Sequence, residues 1–128
     1  MTIGGTLTTA ARLVLAGQVN GSDATTFTYF ALDASDAEES ADHTGPQSEI
    51  TGSLGRIPAV CSVEAPDRTV FAATITPTVQ ITIKALCIMS AATGGTMLIR
   101  GVLATPMTIP AGTARDLLWK IGNVQGTL

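Results

Sequence analysis

Hydrophobic and polar positions alternate most clearly over residues 78–86. Val79, Ile81, Ile83 and Ala85 fall on one side, and Gln80, Thr82 and Lys84 on the other. A period of two marks a strand with one buried face. Cys87-Ile88-Met89 carries this strand into a more buried end. Thr69–Thr76 sets Phe71, Ala73 and Ile75 on one face, and Arg115–Ile121 does the same with Leu117, Trp119 and Ile121. Trp119, the largest side chain, reads as a core anchor. Thr96–Leu103 is apolar on both faces, as in a central strand or one that meets another subunit. Arg56–Glu64 alternates Val60 and Ser62 against Ala59, Cys61 and Val63, and Pro58 restricts it to an edge or to the strand's start. Thr25–Leu32 is β-branched and aromatic and reads as a further strand.

Turn signals separate these runs: Ala65-Pro66-Asp67-Arg68, Pro77, Ala92-Thr93-Gly94-Gly95, Pro106, and Ile109–Thr113. Six or seven short strands at this spacing predict an all-β protein, an antiparallel β-sandwich or a barrel-like, jelly-roll-like fold. Helical signals are confined to the N-terminus. There Thr8 or Thr9 can cap a short helix over Ala10–Ala16, ended by Gly17. A helix of under three turns must dock on something to persist. Pro46–Thr51 can form one helical turn with Pro at its first position. The expected organisation is an arm and short helix over residues 1–24 and a sandwich domain over 25–128, within a length of 128 residues that suits one domain.

Composition adds one anomaly. Charged residues make up 13% of the chain, about half the usual ~25%. Low surface charge is a solubility liability for a free monomer, so much of the surface is expected to lie against other subunits. The few charges are also segregated. Seven acids and no Lys or Arg lie between Leu13 and Gly55, against three acids and seven bases elsewhere. Such asymmetry lets one subunit's acidic part meet a neighbour's basic part. Seven basic residues and an isoelectric point near 4.8 argue against nucleic acid as a partner. The apolar runs are too short for a membrane span, and the N-terminus lacks the basic start of a secretory signal.

Candidate chemistry is sparse. His43 is the single histidine and reads as an exposed residue of the acidic loop 33–46, without a nucleophile beside it. Cys61 and Cys87 lack metal-ligand spacing and sit in strands, where a free thiol acts as a small hydrophobe. The carboxylates Asp33, Asp36, Glu38, Glu39 and Asp42 do not follow a calcium-loop spacing. Asp36 and Glu39 could approach as a hydrolytic pair, with Trp119 or Tyr29 as a sugar platform, which is a third-ranked reading. No catalytic, cofactor or metal residue is therefore assigned, and the chain is expected not to be an enzyme.

Several segments together resemble a group of short bacteriophage virion proteins. They are the Thr26–Leu32 strand, an acidic Ala/Ser/Thr-rich loop ending in Glu49-Ile50, and the Arg-led Arg56-Ile57-Pro58-Ala59-Val60. Further on come Ile81-Thr82-Ile83-Lys84, the Met89–Leu98 hairpin, and Ala111-Gly112-Thr113 leading to Leu118-Trp119-Lys120-Ile121. The likeness spans roughly residues 25–122 and leaves residues 1–24 outside it. It implies a capsid decoration (cement) protein on the outer head surface, or alternatively a tail-fibre, neck or baseplate component. Implied partners are the major capsid protein and other copies of the chain in a homotrimer, with no membrane and no small-molecule substrate. The implied location is the virion, assembled in the bacterial cytoplasm. Contact residues are expected on the N-terminal arm and helix (Ile3, Leu7, Leu13, Leu15), in the acidic loop (Asp36, Glu38, Glu39, Asp42), and at Arg56 and Arg100 in the basic part.

Overall fold

A computed structural model describes residues 5–64 and 68–122. The chain forms β1 (Thr6–Leu7), α1 (Thr9–Val19), β2 (Tyr29–Asp33), β3 (Ile57–Pro58), β4 (Val60–Glu64), β5 (Arg68–Ile75), β6 (Ile81–Met89), β7 (Met97–Ile109) and β8 (Arg115–Gly122). Two antiparallel sheets result, one of five strands in the order β1-β7-β6-β2-β3 and one of three in the order β4-β5-β8. Their facing sides enclose one core. Phe30, Leu32, Ile83, Leu86, Ile88 and Ile109 line it from the larger sheet, and Phe71, Ile75, Leu117 and Trp119 from the smaller. The fold is an open β-sandwich, with free edges on both sheets rather than a closed barrel.

The alternation in β5 and β8 decides what faces the core. Phe71 pairs with Trp119, and Ala73 with Leu117, so two apolar ladders line one side of the small sheet. Gly5 meets the same core at its open end. A Cβ there would come within 2.7 Å of Ile99 Cδ1 and 3.0 Å of Trp119 Cζ2, so only glycine lets the arm approach so closely. The pairing of β1 with β7, at Thr6↔Arg100 and Leu7↔Ile99, builds the N-terminal segment into the larger sheet.

Several strands depart from the sequence reading. The Arg56–Glu64 run is not one strand. Ile57–Pro58 pairs with β2 in the large sheet, and after Ala59 the chain crosses to pair with β5 in the small one. Pro58 does occupy an edge strand, where its missing N–H costs no ladder bond. Strand β6 inverts its facing. Ile81 and Ile83 point into the core, and so do Leu86 and Ile88, a step of three. Ala85 therefore leaves the face it was expected to share and lies with Ala31 and Cys87 on the other side. The cause is an irregularity between β6 and β7. From Val102 to Met107 β7 advances five positions while β6 advances two, from Ile83 to Ala85. The surplus contains Pro106, which cannot donate to a regular ladder and is accommodated in the bulged stretch instead of ending the strand. Val79, expected inside, is exposed ahead of β6.

The helix begins as expected, with Thr8 as N-cap accepting from Ala11 N at 3.0 Å, but runs past Gly17 to Val19. The helical turn expected over Pro46–Thr51 is absent. The segment pairs with the end of β2 instead: Ala34 N donates to Ser48 O and Ile50 N to Leu32 O, both at 2.8 Å, and Glu49 bridges to Asp33. Those backbone bonds to the end of β2 outcompete a single turn, whose nucleation is unfavourable.

Candidate interface surfaces

The outer face of the large sheet is covered by the chain itself. Asp33 and Arg100 lie 67 positions apart in sequence, and both are almost wholly inaccessible. Arg100 Nε donates to Asp33 Oδ2 at 2.9 Å, Nη1 to the Ala37 carbonyl at 2.7 Å, and Nη2 to the Ser35 carbonyl at 3.0 Å. Asp33 also accepts backbone N–H bonds from Ser35, Gln47 and Ser48 at 2.8–2.9 Å. Burial pushes its carboxyl upward, but the guanidinium and these three N–H groups outweigh it and hold the group below its ordinary value. The acidic loop thus folds back over β6 and β7. The small side chains Ala31, Ala85 and Cys87 beneath it, all buried, leave room for it.

Two further carboxylates fasten this strap. Glu39 accepts from Thr6 Oγ1 at 2.8 Å and from Val102 N at 2.9 Å, at the edge where β1 ends. Glu49 makes a two-pronged pair with Arg56, at 3.0 and 3.1 Å. Arg56 Nη1 also donates to the carbonyls of Ala91 and Gly94 at 2.9 and 2.6 Å, tying the β6–β7 hairpin to the same corner. Thr9 N donates to Ala41 O at 2.8 Å, which joins the strap to the start of α1.

These contacts sort the residues expected to meet a partner. Arg100 is buried with its donors used inside the chain, so it offers a partner no surface. Its role is to anchor the acidic loop, because a guanidinium without carboxylate and carbonyl acceptors could not be buried. Arg56 and Glu39 are likewise engaged within the chain and only partly accessible. Asp36, Glu38 and Asp42 are exposed on the strap. Leu13 is 77% exposed and Leu15 37% on α1, whereas Leu7 is half-buried against the core. Ile3 lies outside the described residues.

The other candidates show no assembled site among the described residues. No group of three or more His, Cys, Asp or Glu is placed to hold a metal. His43 is half-buried rather than exposed, with Nδ1 buried and unpartnered. Cys87 is buried and Cys61 exposed, both as free thiols, and burial pushes the Cys87 thiol far up. A cleft lined by Gly5, Leu7, Ile99, Trp119 and Ile121 encloses about 200 Å³, below the ~300–1,000 Å³ of small-molecule pockets. Trp119 is nearly inaccessible, and Tyr29 lies on the opposite face of the large sheet, packed against Ala31, Cys87, Met89 and Met97, so the two do not form one sugar platform.

What the sequence reading missed is an apolar outer face on the small sheet. The register aligns Val60, Ala72 and Leu118 in one row across β4, β5 and β8, with Val70 in the next row between Ser62 and Lys120. Val60 is 74% exposed and Leu118 39%. The rim is polar: Thr74 Oγ1 donates to Asp116 at 2.7 Å on one side, and Lys120 pairs with Glu64 at 2.8 Å on the other. The signal was present in the alternate positions of β4 and β8, but only the strand pairing turns it into a patch. No protein-family model matches the chain, and a search of curated proteins finds no relative.

Proposed function

We propose that the chain is a bacteriophage capsid decoration protein, which binds the outer head surface by non-covalent contacts and stabilises the shell. The observation that carries this reading is the pairing of scarce charge with uncovered apolar surface. Leu13 and Val19 on α1, together with Val60, Ala72 and Leu118 on the small sheet, offer contact area on two separate elements. A monomer that remains free gains nothing from such surface, which is the kind that marks association sites. Asp33, Glu39, Glu49, Arg56 and Arg100 are engaged within the chain, where they hold the acidic loop in place. The role is adhesive: weak contacts add when several linked copies engage neighbouring capsid subunits at once. The resemblance of residues 25–122 to short virion proteins points to the same class, with the head as the first reading and a tail-fibre, neck or baseplate position as the alternative.

The test is to mix the purified chain with empty shells assembled from the major capsid protein of the phage that encodes it. Co-sedimentation in hundreds of copies per shell and a raised temperature of shell disruption are expected. Shells that stay bare at micromolar protein overturn the reading. A label found only at the tail of intact particles replaces it with the tail-component alternative.

A further inference from the structure

We infer that β4 pairs antiparallel with β4 of a second copy, about a twofold axis at Ser62, so that two three-stranded sheets become one sheet of six.

The four sheet edges differ in how they are protected. An open edge presents unpaired N–H and C=O groups, and proteins blunt such edges by shortness, proline or charge. Strands β1 and β3 are two residues long, and β3 contains Pro58. Strand β8 carries Arg115, Asp116 and Lys120. Strand β4 has none of these devices before its last residue. Val60, Cys61, Ser62 and Val63 are all exposed, Val63 at 84%, and β4 pairs with β5 alone among the described strands. It is the edge left open to strand addition.

Charge selects the occupant and its direction. The single ionised group on β4 is Glu64, already held by Lys120 at 2.8 Å and Arg68 at 3.8 Å within its own copy. Parallel pairing of two β4 strands would set the two Glu64 side chains next to each other. Antiparallel pairing centred on Ser62 sets each Glu64 opposite Val60 of the other copy. The two carboxylates then stand about 13 Å apart along the strands, beyond the Debye length of about 8 Å at physiological salt. That register engages all five residues of β4. It puts Cys61 against Val63 of the other copy on one face, and on the other it sets each Val60–Ala72–Leu118 row in line with Glu64 of the other copy, the two rows lying about 13 Å apart along the strands. A second copy therefore matches this edge along its whole length without stranding a charge. Because β4 is consumed by one partner, the assembly closes at two copies through this contact.

Native mass spectrometry and sedimentation equilibrium on the full chain test the pairing. A dimer at micromolar concentration is expected. Val63→Lys places a charge on the edge at a position the monomer leaves in solvent, and should weaken association at least tenfold with an unchanged far-ultraviolet circular dichroism spectrum. In a Cys61→Ser background, Ser62→Cys brings the two new thiols directly opposite each other. Cα separations of about 4.5–5.5 Å in such pairs suit a disulfide, so mild oxidation should give a covalent dimer. A monomer at high concentration, an oligomer indifferent to Val63→Lys, or failure to cross-link overturns the inference. It stands apart from the decoration reading: a monomer that coats shells defeats the pairing alone, and a dimer that leaves shells bare defeats decoration alone.

Discussion

Arg100 and Asp33 illustrate how a buried charge is made tolerable. Each ion would lose several kcal/mol of hydration on burial, and their mutual attraction repays this only when the remaining donors and acceptors are also met. Here the guanidinium reaches two carbonyls of the strap and the carboxylate takes three backbone N–H groups. Removing one partner strands the other. Arg100→Met should therefore cost about 3–5 kcal/mol in urea unfolding, more than an apolar swap of similar volume elsewhere in the core. The same pair predicts acid sensitivity. Asp33 is held below its ordinary value in the folded chain, so the unfolded chain takes up the proton first as pH falls. The stabilisation is complete above the unfolded value of about 3.9 and is lost as pH drops through the folded one. Urea midpoints measured downward from pH 6 should begin to fall near pH 4, and Asp33→Asn, though less stable at neutral pH, should show a shallower decline.

At the scale of elements, local pattern was informative where one strand face is buried and the other is not. Phe71 and Ile75 in β5, and Leu117 and Trp119 in β8, stand on the faces that a period of two assigns them. Thr8 announced the helix start through its hydroxyl. Pattern failed where the deciding interaction is distant. Nothing near Pro106 reveals that β7 continues through it, because the irregularity is set by pairing with β6. Nothing around Arg100 distinguishes a surface base from a buried anchor, since its acceptors lie more than 60 positions away. The acidic loop read as a surface for a partner, rather than as a strap over its own sheet, for the same reason. The strap also depends on the helix start, where Thr8 Oγ1 both accepts from Ala11 N and donates to the Met97 carbonyl at 2.5 Å, binding α1 to β7. Thr8→Ala removes both bonds, and the hydroxyl is buried. A loss of about 1–2 kcal/mol is expected, with hydrogen exchange faster at Ala11 and at Thr9, whose amide joins α1 to the strap.

The whole molecule is asymmetric in what it covers. One outer face carries a hydrogen-bonded strap of its own chain, and the other carries Val60, Ala72 and Leu118 with a polar rim. Adjacent residues of β8 separate the two consequences of that arrangement. Trp119 points into the core and is 1% exposed, while Leu118 points outward. Trp119→Ala removes the largest core side chain and should cost about 3–5 kcal/mol, lowering the melting temperature before any partner is involved. Leu118→Glu changes an outward position beside Lys120 and should alter stability by no more than about 0.5 kcal/mol. Its effect belongs to assembly: if the small sheet or α1 meets capsid subunits, Leu118→Glu or Leu13→Glu should reduce the number of copies retained on shells. Because every retained copy contributes through several contacts, the loss should be steeper than the change in any single contact. Melting curves and shell co-sedimentation of the three variants separate the cases. Full occupancy by both Leu118→Glu and Leu13→Glu would mean that neither apolar surface is the one the shell covers.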